Sequence, residues 1–157
     1  AICSNDIREQ LLKLNQHIIT CAPTILSMYI EKYFDKMIEH TSLQIKSLLI
    51  KRTAIIKYMN KIDLKYLDGN ATFYFFVSID DFPGTDKDFA NFLLISHKIA
   101  VVPGSAYGRS TNRFIRVSIG TETKTSIFKA LNKIKETISI KSLNKNYILK
   151  KIKEWSY

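Results

Sequence analysis

The sequence predicts an α+β protein: a small antiparallel or mixed sheet covered by helices, preceded by an N-terminal helical arm. Three observations carry that expectation. The first third shows helical periodicity, the stretches "ATFYFFVSI" and "RFIRVSIG" alternate with period two, and the tight connection between the last two strands favours antiparallel pairing. With 157 residues, 46% of them hydrophobic, and only five glycines and three prolines, the chain has apolar mass for one core and little material for a flexible linker. The expected order is three helices, then strand, helix, strand, strand, helix.

Each element has its own signal. In "DIREQLLKLNQHI", Asp6 and Glu9 form a plausible capping pair, and Ile7, Leu11, Leu14 and Ile18 fall on one helical stripe. "TCAP" closes that helix, and Pro23 suits the first turn of a second one carrying Ile25, Leu26, Tyr29, Ile30 and Phe34. From about Thr41 to Ile62, the series Ile45, Leu48, Ile55, Met59, Ile62 among lysines and arginine predicts a long helix with one wet face. "DGN" at 68–70 signals a turn. The strand 71–79 then sends Ala71, Phe73, Phe75, Val77 and Ile79 one way and Thr72, Tyr74, Phe76 and Ser78 the other; both faces are mostly apolar, which predicts a central strand covered on both sides. Thr85, with Asp88 three residues on, predicts a capped helix through about His97 that buries Phe89, Phe92 and Leu93. "KIAVVP" is a short strand, "GSAYGRSTN" a loop, "RFIRVSIG" the next strand, and Thr123 caps a last helix with Ile127, Phe128, Leu131, Ile134 and Ile138 in register. Phe73, Phe75, Val77, Ile115, Val117 and Ile119 are the expected sheet core, under helices 86–97 and 124–138.

Charge and motifs narrow the chemistry. The formal charge is +10, and from Lys124 onward nine lysines face only Glu136 and Glu154, so the excess belongs to the C-terminal end. Lysines without interleaved arginine or a stacking platform read first as a solvated face, so nucleic acid is not the expected partner. No apolar run is long enough to span a bilayer, and Asp6, Arg8 and Glu9 stand where a signal peptide needs an apolar core; a soluble, cytoplasmic protein is expected. Cys3 and Cys21 make no disulfide framework. His17 and Cys21 have helical ligand spacing but no second Cys/His pair, so no metal site is expected. Ser142 and Lys145 spell S-x-x-K without its companion motifs, a chance match, and the sequon at Asn70 has no meaning without secretion. Arg116 stands out: it shares a strand face with Phe114 and Ser118, while Ile115, Val117 and Ile119 form the other, and its planar fork of donors suits a carboxylate gripped by two parallel hydrogen bonds.

At these residues the chain resembles class I/II aminotransferases, the fold-type I enzymes that use pyridoxal phosphate. "VVPGSAYG" and "IRVSIG" are similar to the family's C-terminal part, "DGNATFYFFVSI" to its P-x-G-A-F-Y strand, "HIITCAPTILSMYIEKYF" to the helix pair after its active-site lysine, and "KRTAIIKYMNKI" to its long linker helix. The resemblance runs from about Ala1 to Ile138. Thr111 stands where the family commonly has glycine, Asp68 at the proline of P-x-G, and Ser27 at a usual glutamine.

The resemblance implies that residues 1–36 are an arm belonging to the large domain and dimer interface, 37–140 the small C-terminal domain, and 141–157 a basic tail that it does not explain. It implies that Arg116 binds the substrate α-carboxylate and that Tyr107 lines the cleft. The full enzyme would carry pyridoxal phosphate, take an amino-acid or keto-acid substrate, and form a homodimer or otherwise self-associate. The Schiff-base lysine and phosphate cradle would lie in a missing cofactor-binding domain. No catalytic residue, no bound cofactor and no transamination are therefore expected of this chain alone. Two other readings stay open: a non-catalytic module whose basic tail docks an acidic partner or nucleic acid, and a regulatory module that binds a free amino acid.

Overall fold

The computed structural model describes residues 2–155, and the chain divides into two compact units, the first ending at Lys46 and the second beginning at Ser47. Helix α1 spans Asn5–Ile18. Ser4 flanks its start without a side-chain cap bond, so the expected Asp6–Glu9 capping pair is not what begins it; Glu9 accepts from Arg8 instead. Asp6 still sits in the first turn, where a carboxylate favours the helix dipole. α1 buries no residue, and Ile7, Leu11, Leu14 and Ile18 are all exposed, by 53, 43, 55 and 69%.

Helix α2, Thr24–Lys61, runs for 38 residues where two helices were expected, with a single departure from helical backbone at Tyr33 (φ −117°, ψ 17°). The reason is local. No glycine or proline lies between Thr24 and Lys61, and the hydroxyls of Thr41 and Ser42 do not cap a new helix but donate back to the carbonyls of Met37 and Ile38.

From Ser47 onward a core forms. Strand β1 is Tyr74–Ser78, helix α3 Asp86–His97, strand β2 Val102–Pro103, strand β3 Phe114–Ser118 and helix α4 Lys124–Ile138. The sheet order is β1-β3-β2 with both pairings antiparallel, in register Phe76↔Arg116 and Val102↔Arg116. This is an α+β arrangement of the antiparallel kind. The central strand is β3, not the 71–79 strand expected to hold that place. That strand is also shorter than its pattern. Thr72 has φ +65°, a left-handed conformation costly for a β-branched residue, so extended backbone begins only after it. Phe73 is 41% exposed in consequence and is not part of the core, contrary to expectation. The outer edge of β1 is nonetheless covered: Tyr66 bridges Val77, the Leu67 amide donates to Phe76 and the Ser78 amide to Lys65.

Phe75, Val77, Ile115, Val117 and Ile119 form the buried sheet face, packed with Ile55 and Met59 of α2, Phe89 and Leu93 of α3, and Ile127, Leu131, Ile134 and Ile138 of α4. The capping box at the start of α3 forms as expected, with Thr85 accepting from the Asp88 amide and Asp88 from the Thr85 amide. Phe92, expected to be buried, is only half-buried. Thr123 caps α4 by accepting from the Ser126 amide.

The residues expected to be a basic tail contain a fifth helix, α5, Lys145–Trp155. Ile148 is buried, and Lys145 Nζ meets Asp88 Oδ2 at 2.8 Å, tying α5 to the start of α3. Partial burial alone would raise the Asp88 carboxyl. The hydrogen bonds from Lys145 and Thr85, with the Lys145 charge, outweigh it and hold the group below its ordinary range. Among the described residues, no helix is long and apolar enough to cross a membrane.

Candidate functional site

Alternation along β3 fixes which side chains can meet ligand. Ile115 and Val117 enter the core, so Phe114, Arg116 and Ser118 point to the opposite face. Register then places Phe76 and Val102 directly beside Arg116, and Tyr74, two residues from Phe76, on the same face of β1. The Arg116 guanidinium carbon lies 4.1 Å from the centroid of the Tyr74 ring and 4.8 Å from that of Tyr107. Phe76 meets Tyr107 edge to face, with centroids 5.5 Å apart. Arg116 is thus stacked against two rings, one of which is braced by a third.

Its polar contacts are few. Among the described residues no carboxylate pairs with Arg116, and its buried Nε has no hydrogen-bond partner. The chain's other inward arginines behave differently. Arg52, 7% exposed, donates to the carbonyls of Gly69, Thr72 and Tyr74 and lies over the Phe75 ring, 4.2 Å from its centroid. Arg113 donates to the carbonyls of Ile79, Asp80, Phe82 and Gly84 at 2.7–3.0 Å. Those two are tied into the backbone, and Arg116 is not.

Tyr107 ends a 3₁₀ turn, Gly104–Tyr107, and is 46% exposed. The turn is pressed closely onto its own chain: a Cβ at Gly104 would overlap the carbonyl oxygens of Thr111 and Phe114, so only glycine fits. Gly108, at φ +126°, reverses the backbone after Tyr107. Two side chains hold the turn. The Ser105 amide donates to Asp86 Oδ2 at 2.6 Å, and the Thr111 hydroxyl donates to the carbonyls of Gly104 at 2.7 Å and Gly108 at 3.1 Å. Thr111 closes this loop through its hydroxyl.

Arg116 and Tyr107, named from sequence, are brought together here. Tyr74, Asp86 and Arg52 are not among the residues sequence reasoning singled out. Tyr74 had a signal, since it shares a strand face with Phe76, but only the β1–β3 register reveals that this face carries Arg116. Other candidates are not assembled into a site. Among the described residues no group of three or more His, Cys, Asp or Glu stands ready for a metal, Cys3 and Cys21 are free and exposed, and Lys145 of the S-x-x-K match pairs with Asp88. Of the C-terminal lysines, Lys133, Lys135, Lys145 and Lys151 sit in ion pairs within the fold.

Comparison with known proteins identifies the family. YugH of Bacillus subtilis, which carries an aminotransferase name, is 31% identical over 115 residues, 73% of this chain and 30% of its own length. Aspartate aminotransferase of Pyrococcus abyssi is 27% identical over 142 residues, 87% of this chain and 36% of its own. A crystal structure from Methanococcus jannaschii, described as similar in its active site to kynurenine aminotransferases, superposes with a TM-score of 0.68 at 28% identity, covering 88% of this chain and 37% of that one. The chain therefore spans about a third of the length of the relatives it matches. Residues 1–134 match the family model for aminotransferase class I and II, and the chain belongs to that family.

Proposed function

We propose that this chain is the C-terminal portion of a pyridoxal-phosphate-dependent aminotransferase, in which Arg116 grips the α-carboxylate of an amino-acid or keto-acid substrate and Tyr107 lines the cleft. The observation that carries the reading is the state of Arg116, a partly buried cation lying over two rings and, among the described residues, lacking any carboxylate of its own. A guanidinium without a carboxylate among the described residues is available to one supplied by a ligand. The rings restrain the guanidinium, and a carboxylate gripped by two of its donors would orient the amino acid for reaction.

Pyridoxal phosphate, when bound, supplies the electron sink for breaking the substrate's Cα–H bond. The described residues fit the substrate half of such a site and not the cofactor half. Lys51, the lysine drawn furthest into backbone contacts, donates to the carbonyls of Ile119, Gly120 and Glu122, and no anion cradle is formed by these residues. The cofactor's lysine and phosphate donors belong, on this reading, to the two thirds of the relatives' length beyond this chain. The chain alone does not transaminate, and the exposed stripe of α1 is a surface that packs on the larger domain and near a dimer interface.

The test is Arg116→Lys in an enzyme that carries this segment. Losing the two-pronged grip, where a charge-assisted hydrogen bond is worth about 1.5–3 kcal/mol, should weaken amino-acid binding by roughly tenfold or more while pyridoxal phosphate stays bound by its absorbance. Unchanged amino-acid binding would reject the assignment.

A further inference from the structure

A guanidinium can wait for a carboxylate in a defined orientation only if the rings it lies over are themselves held. Tyr74 is held by its strand and by Arg52, which donates to the Tyr74 carbonyl at 3.2 Å. Tyr107 has no strand around it. It sits 46% exposed at the end of a four-residue turn, followed by a glycine with φ +126°. Beyond its edge-to-face contact with Phe76, its place depends on what ties that turn down, and two side chains do.

Asp86 is 4% exposed, and its carboxylate bridges two segments far apart in sequence. Oδ1 accepts from the Lys87 amide at 3.0 Å, and Oδ2 reaches across to the Ser105 amide at 2.6 Å, in the middle of the Tyr107 turn. The α3 cap does not need it, because Thr85 and Asp88 already form the capping box. A buried carboxylate that is not the cap has its outward use in the turn. Thr111 closes the other end, its hydroxyl donating to Gly104 and Gly108 on either side of Tyr107.

We infer that Asp86 and Thr111 are positioning residues that set Tyr107 against Arg116, so that α3 and the 104–111 loop together determine the plane of the carboxylate clamp; this rests on the reading of Arg116 as that clamp. Asp86 acts through the Ser105 amide and Thr111 through two carbonyls.

The side-chain Nε–H signals of the 157-residue chain, ¹⁵N-labelled, test this directly, because it has only five arginines. Arg116 should be displaced upfield by the ring currents of Tyr74 and Tyr107, and Tyr107→Ala should remove part of that displacement. Asp86→Asn is expected to lose most of the Tyr107 part, with the Arg113 signal unmoved; Thr111→Val is expected to lose a smaller part. A general loosening of the fold would move Arg113 as well, since it anchors the neighbouring carbonyls of residues 79–84. If Asp86→Asn does not fold, Thr111→Val decides, its side chain being near the surface. The inference is overturned if Tyr107→Ala shifts Arg116 while Asp86→Asn and Thr111→Val leave it in place, or if Tyr107→Ala itself has no effect. Added acetate separates the two readings. An Arg116 signal that answers to Asp86→Asn but not to acetate upholds the positioning role and sinks the clamp. One that answers to acetate but not to Asp86→Asn does the reverse.

Discussion

The two faces of the sheet use the same strands for different ends. On the inner face Phe75, Val77, Ile115 and Val117 are buried among helices, and the cation that reaches behind them, Arg52, has its donors matched to the carbonyls of Gly69, Thr72 and Tyr74. On the outer face Tyr74, Phe76 and Tyr107 gather round Arg116, which has rings for neighbours and an Nε with no acceptor. Arg52 is buried and Arg116 half-buried, both lie over aromatic rings, and they end in different hydrogen-bond states. The difference teaches where to look for function: the fold completes Arg52 and, among the described residues, leaves the Arg116 Nε without an acceptor. Buried polar groups are nearly always satisfied in folded proteins, and among the described residues the exceptions are the Arg116 Nε and the Ser105 hydroxyl of the adjoining turn.

That contrast can be broken by mutation, beginning with the inner face. Phe75→Ala removes a ring that is 3% exposed and should cost about 3–5 kcal/mol in denaturant unfolding. A loss below about 1 kcal/mol would mean the inner face is not the core. Next, Arg52→Met and Arg116→Met, compared side by side, should differ. Met keeps packing over the Phe75 ring, but it strands backbone acceptors at about 1–3 kcal/mol for each one that water cannot reach, so Arg52→Met should lose about 2–3 kcal/mol. Arg116→Met gives up a cation–π contact of about 0.5–1 kcal/mol and relieves an unpaired donor, so its unfolding free energy should stay within about 1 kcal/mol of the parent. Equal losses at the two sites would erase the distinction between the faces.

The smallest expected effect lies at the α3–α5 junction, away from both faces. The Asp88 carboxyl is held low, so its contribution is present above the ordinary carboxylate value near 3.9 and disappears as pH falls through its lower folded value. Lys145→Met should flatten the acid limb of the stability curve by a few tenths of a kcal/mol, since Lys145 is 55% exposed and its pairing is screened by solvent. An unchanged acid limb would remove the electrostatic tie between α5 and α3.

Much of this arrangement is legible in the residues themselves. Period-two alternation alone separates Arg116 from Ile115 and Val117, and Thr85 with Asp88 announces the α3 cap, because both are local rules that tertiary context leaves intact. What local rules miss is decided between segments. The Tyr74–Arg116 stack needs the β1–β3 register, and the Asp86–Ser105 bond needs α3 laid beside the 104–107 turn, 19 residues later. Phe73 leaves the core through one left-handed residue, Thr72, which no alternation pattern foretells. The C-terminal lysines look like a solvated tail until Lys145 pairs with Asp88 of α3, and the 38-residue α2 reads as two helices because two separate apolar series, 25–34 and 45–62, lie along it. Family resemblance supplied the carboxylate role for Arg116; the strand pattern alone left it as an arginine on the non-core face.

The claim that Arg116 is kept for a carboxylate is tested most directly by titrating the ¹⁵N-labelled chain with acetate and following its arginine Nε–H signals. A saturable shift at Arg116, with Arg52 and Arg113 unmoved and no response from the chain carrying Arg116→Met in the Tyr74 and Tyr107 ring signals, is the predicted result. A response spread evenly over all the arginines, or none at Arg116 at acetate concentrations that shift the exposed Arg8, would contradict it.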